Sequence, residues 1–171
     1  MAAMMFALGA CGAPRAADAP ADLASPLSGQ YVAKSESACV RTGDLSIERA
    51  GLMFSKGIVL YTRTLMPRTG VELTAVGGDS YAAIAVGPAT LEVELRHVTE
   101  QSLSPGARGL CGAEAPSYVA IARDRAQEEI TVMAFAGEEP PGPRATRSRM
   151  CGAFRYAPPD GARTRQGVLL E

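Results

Sequence analysis

The run Leu91-Glu92-Val93-Glu94-Leu95-Arg96 alternates strictly between apolar and charged side chains. Successive side chains of an extended chain point to opposite faces, so Leu91, Val93 and Leu95 share one face and Glu92, Glu94 and Arg96 the other. That is the pattern of a half-buried strand in an antiparallel sheet with one wet face. Similar alternating or β-rich runs, separated by Gly, Pro and Asp, cover 30–34, 44–49, 51–55, 58–64, 71–76, 81–86, 90–98, 117–123, 129–136 and 152–157. The expected fold is therefore all-β, an antiparallel small barrel or sandwich of about eight to ten strands. Gly77-Gly78-Asp79-Ser80 falls between two of these runs, and its glycines supply the positive φ of a tight hairpin turn. A helix competes only over 123–129, where a polar hairpin loop reads better. The stretch 137–150 holds too much proline to continue a strand, and is expected to be an exposed excursion of the kind that often carries binding residues.

The chain has 171 residues, enough for one core and a tail, and its 47% hydrophobic and 20% charged residues suit a globular domain. A formal net charge of −1, no Trp, five Tyr and four Phe leave neither the basic footprint nor the stacking platforms of a nucleic-acid binder. Fifteen Arg stand against two Lys, and the count alone carries no function.

Residues 1–10 carry no charge, too few for a membrane-spanning helix of about twenty residues but enough for the apolar region of a signal peptide. Leu8-Gly9-Ala10-Cys11 resembles the lipobox of bacterial lipoproteins, where small residues admit the backbone to a peptidase and the cysteine thiol takes the lipid. The first charge is Arg15, beyond the cleavage point, a departure that a truncated start would account for. The resemblance implies a mature N-terminus at lipidated Cys11. Gly12, rather than Asp, implies sorting to the outer membrane, with the domain facing the periplasm. The expected organisation is a signal peptide at 1–10, lipidated Cys11 and an Ala-, Pro- and Asp-rich tether over 11–27, a β domain over 28–157 and a tail over 158–171, in which 167–170 offers a short edge strand.

An exported protein meets an oxidising compartment, where cysteines pair. Cys111 and Cys151 sit in near-copies, Leu110-Cys111-Gly112-Ala113 and Met150-Cys151-Gly152-Ala153, at the ends of neighbouring expected strands, which points to a Cys111–Cys151 disulfide with Cys39 left as a thiol. A zinc site from the three cysteines and His97, the single histidine, lacks the close Cys spacing that such sites show. A Cys39–His97 or serine–His97 nucleophile pair has no motif behind it: G-x-S-x-G, H-E-x-x-H and glycine-rich phosphate loops are missing from the sequence. Asp44, Glu48, Asp79, Glu92 and Glu94 read as solvated strand faces. No catalytic residue, metal or cofactor is therefore assigned, and an enzyme is the less favoured reading.

Gly29-Gln30-Tyr31 resembles the G-x-W opening of lipocalins, with Tyr in place of Trp, which implies a barrel carrying a small apolar ligand. The architecture is also similar to small lipid-anchored β-barrel inhibitors of lysozyme, which implies a periplasmic protein partner. The expectation is a membrane-anchored, non-enzymatic binding or structural module, with the inhibitor and the apolar carrier as alternatives.

Overall fold

The computed structural model describes residues 27–124 and 128–159. Its strands are β1 (Gly29–Ala33), β2 (Leu45–Glu48), β3 (Gly51–Phe54), β4 (Ile58–Thr64), β5 (Arg68–Thr69), β6 (Glu92–Leu103), β7 (Tyr118–Arg123), β8 (Ile130–Ala136) and β9 (Arg149–Ala157), with helices α1 (Glu36–Arg41) and α2 (Tyr81–Ala85). Apart from β5, every strand pairs antiparallel with the next in sequence, β4 with β6, and β9 returns to β1. The result is a closed eight-stranded up-and-down barrel. Strand β5 continues the path of β4 along β6, with Arg68 opposite Val93. A closed barrel leaves no long sheet edge to recruit other chains.

The closing seam is short: only Val32–Ala157 and Ala33–Tyr156 pair β1 with β9. Helix α1 covers the rest of that edge, with Ser37 Oγ donating to Ala153 O at 3.1 Å and Arg41 Nη2 donating to Leu110 O at 2.9 Å. We call the end carrying α1, the 104–117 connection and the 137–148 excursion the upper end. The lower end carries residue 27, the 49–50 turn and the β7–β8 hairpin.

Two apolar cores share the β6–β8 wall. Inside the barrel, Leu45, Ile47, Leu52, Ile58, Leu60, Val119, Val132, Phe154 and Tyr156 are all 2% exposed or less. Outside it, Tyr81 and Leu91 pack on Val93, Leu95, Ala120, Met133 and Phe135. All seven residues of β8 are consequently buried. Burial on both faces is why β7 and β8 read as continuous apolar runs rather than alternating ones.

This second core corrects the reading of residues 91–96. Leu91, Val93 and Leu95 do share a face, but it turns outward beneath α2. Glu94 and Arg96, expected in water, turn toward the barrel interior, and Arg96 is fully buried. Their cross-strand partners Ile121 and Val119 both belong to the interior core.

Three other expectations are corrected. Residues 71–76 form no strand, only an isolated bridge from Leu73 to Ser80, so the 77–80 turn does not join two strands. Residues 81–85 are helix: Ser80 Oγ accepts from the Ala83 N–H at 3.2 Å, and the alanine-rich Tyr81-Ala-Ala-Ile-Ala favours helix over strand. Helix α1 was outside the single place where a helix competed. Ser35 caps it, Glu36 and Arg41 complement its dipole, and Gly43 at φ +67° follows it.

The excursion is only partly exposed. Pro141 and Ala145 are buried, Tyr81 Oη donates to Pro141 O at 3.1 Å, and the Val76 N–H donates to Ala145 O at 2.9 Å. The β7–β8 hairpin closes with the Asp124 N–H donating to Glu129 O at 3.0 Å, while residues 125–127 of its loop lie outside the described residues. Cys11, the expected signal peptide, nearly all of the tether and most of the tail, with its expected strand over 167–170, lie outside them too.

Candidate functional site

Cys111 and Cys151 are joined in a disulfide with Cα atoms 4.9 Å apart, enclosing a sequence separation of 40. It ties the 104–117 connection to the start of β9. Closing a loop of that length is worth roughly 4 kcal/mol in the chain-entropy model. Cys39 is an exposed thiol on α1, its Sγ donating to Ala33 O at 3.7 Å.

His97 lies on the outward face of β6, edge-on to Tyr118 with ring centroids 5.2 Å apart, and opposite Arg63 on β4. Its Nδ1 is buried with no hydrogen-bond partner among the described residues. The structure thus brings His97 to Tyr118 and Arg63, not to Cys39, which is held against Ala33. No three His, Cys, Asp or Glu side chains among the described residues gather as metal ligands.

The most elaborate polar cluster fills the lower mouth of the barrel. Arg96 Nε donates to Glu94 Oε1 at 2.7 Å, Nη1 to Glu48 O at 2.8 Å and Nη2 to Leu27 O at 3.0 Å. The Leu27 N–H donates in turn to Glu94 Oε2 at 2.8 Å. One ion pair thereby reads both backbone groups of residue 27 and fixes where the chain joins the barrel. A buried guanidinium is tolerable only when so fully hydrogen-bonded. On β1, burial raises the Tyr31 phenol above its ordinary pKa, against the lowering effect of Arg123. Sequence reasoning missed this cluster because a Glu-x-Arg pair on one strand face looks the same whether that face meets water or a barrel mouth.

A shallow pocket of about 50 Å³ lies on the outer wall at the same end. The cover formed by α2 stops short there, and Ala85, Val86, Gly87 and Leu91 face the ends of β7, β8 and β9. Cross-strand register places Ala122, Thr131 and Arg155 in one row, with Asp124 and Glu129 in the next. Glu129 meets Lys34 at 3.2 Å. Val86, at the pocket lip, has φ 55° and is 84% exposed, an unusual backbone state for a β-branched residue. Comparison with family models, with curated proteins and with solved structures gives no match.

Proposed function

We propose that this chain is a lipid-anchored, non-enzymatic module of a bacterial cell envelope that acts through its outer surface. The observation that carries the surface role is the packed barrel: large side chains from every wall, among them Leu45, Leu60, Phe154 and Tyr156, fill its interior. A carrier barrel keeps a cavity of roughly 300 Å³ or more for its ligand, and this packing weighs against one. The outer surface carries exposed apolar side chains at Met66, Val71, Val76 and Val86, the kind of feature that partners use. The anchor rests on Leu8-Gly9-Ala10-Cys11 and the tether behind it. The clamp on Leu27 suits such a tether, because it holds the barrel by its lower end. Titration with a fluorescent fatty acid tests the surface role. Unchanged emission at micromolar protein is expected, and stoichiometric saturable binding would reinstate the apolar carrier.

A further inference from the structure

Three large apolar side chains stand in water at one end of the barrel. Val86 is 84% exposed, Met66 76% and Val71 61%. Met66 and Val71 flank β5, whose Arg68 and Thr69 pair with Val93 and Glu92, and the Gly70 N–H donates to Leu91 O at 3.0 Å. Val86 precedes Gly87, which lies against the Leu91 side chain. The Ala82 N–H donates to Gly70 O at 2.8 Å and the Gly87 N–H to Ala82 O at 3.0 Å, so the two chain segments run side by side. All three residues therefore belong to the outer side of residues 91–96. On the inner face of that same stretch, Glu94 and Arg96 hold Leu27. The entry of the N-terminal chain and the apolar side chains share the lower end.

Charge is sparse around them. Within 65–72 and 81–91 the charged residues are Arg68 and Glu72, which pair at 3.5 Å. Asp79 sits toward the upper end, where the Thr74 N–H donates to its carbonyl and the Gly142 N–H donates to Thr74 O. Such a surface can meet hydrocarbon without stripping water from an unpaired charge. Val86 holds φ 55°, a state that glycine adopts without strain, and so exposed a side chain returns little packing for that cost.

The chain ahead of the barrel selects the occupant. Cys11 and Leu27 are sixteen positions apart in sequence, a length that reaches at most about 55 Å. With Cys11 held in a bilayer, the lower end meets the membrane surface at an effective concentration of order mM. Contacts too weak to bind the domain from solution suffice under that constraint.

We infer that the lower end docks on the lipid bilayer, with Met66, Val71 and Val86 entering its interface. The inference rests on the lipid-anchor reading.

The chain contains no Trp, so single introduced tryptophans report the contact without background. Cys111 and Cys151 are bonded to each other, and in a Cys39→Ser background Cys11 is the thiol left for coupling. Coupling it to a maleimide phospholipid supplies the tether whether or not cells lipidate that residue, so a failed anchor and a failed docking face are read separately. Vesicles of phosphatidylethanolamine and phosphatidylglycerol with brominated acyl chains are the probe. Met66→Trp and Val86→Trp should give blue-shifted, quenched emission in the coupled chain and water-like emission in the uncoupled one. Val40→Trp on α1, at the upper end and 64% exposed, should stay unquenched. Adding Val71→Glu and Val86→Asn to Met66→Trp should abolish the quenching with the circular dichroism kept, asparagine being tolerated in left-handed backbone. Unquenched, water-like emission from both reporters in the coupled chain would overturn the inference, as would equal quenching of Val40→Trp. A blue shift that persists without vesicles would overturn it too, by assigning these side chains to a second copy of the chain.

Discussion

Arg96 is buried: its removal leaves Glu48 O, Leu27 O and the Glu94 carboxylate without their donor, and removal of Glu94 strands the guanidinium and the Leu27 N–H. Deleting one partner of a buried pair costs about 3–5 kcal/mol, much of it the penalty of stranding the other charge. Glu94→Ala is therefore expected to lower stability by about 3 kcal/mol in urea denaturation, and Glu94→Gln by less because one acceptor oxygen remains. Proton exchange at the Leu27 amide should accelerate in both. Tyr81 gives a second prediction. Burial pushes its phenol up to about 12, with Arg68 lowering it and Glu72 raising it. The folded state thus favours the protonated phenol. That contribution is whole below the unfolded value of about 10 and is lost as pH rises toward about 12. Alkaline melting monitored by circular dichroism should steepen in that window, and Tyr81→Phe should flatten it while releasing the Pro141 contact of the excursion.

At the scale of elements, α2 ends in a strained cap. Val86 adopts the left-handed conformation so that its N–H and that of Gly87 reach Ala82 O and Ala83 O. Left-handed backbone costs a side-chain-bearing residue roughly 1–2 kcal/mol, and glycine is the usual occupant of such a cap. Val86→Gly is expected to raise stability by about 1 kcal/mol, read from the thermal midpoint. The disulfide acts at the upper end, between the 104–117 connection and the start of β9. Cys111→Ala with Cys151→Ala should lower stability by about 2–5 kcal/mol and leave the barrel's far-ultraviolet dichroism in place. Both cysteines were legible from their repeated Leu/Met-Cys-Gly-Ala settings, but not for the expected reason: Cys111 lies in the 104–117 connection rather than at a strand end, and β8 separates β7 from β9. The helices were legible in part. Ser35 and Ser80 are capping residues ahead of short segments, but alternation in Tyr81–Val86 resembled a strand and outweighed the alanines. Segments of five and six residues show too few turns for a helical period to emerge.

For the whole molecule, the antiparallel all-β class followed from the period-two runs and glycine turns, because local spacing carries that information. Which face of β6 turned inward did not. That depends on barrel closure through β4–β6 and on the 65–91 segment folding over the outer wall, both long-range events that leave no local trace. The same limit hid the pocket, whose Thr131 and Arg155 are ordinary strand residues until register sets them side by side with Asp124 and Glu129 close by. The packed, closed barrel pinned at Leu27 fits a module presented on a tether, and the anchor at Cys11 is the claim on which that picture turns. Mass spectrometry of the membrane fraction tests it most directly. An acyl-modified N-terminal peptide beginning at Cys11 is expected, with release of Cys11→Ala into the soluble fraction. Recovery of an unmodified peptide containing Met1, or unchanged membrane association of Cys11→Ala, would contradict it.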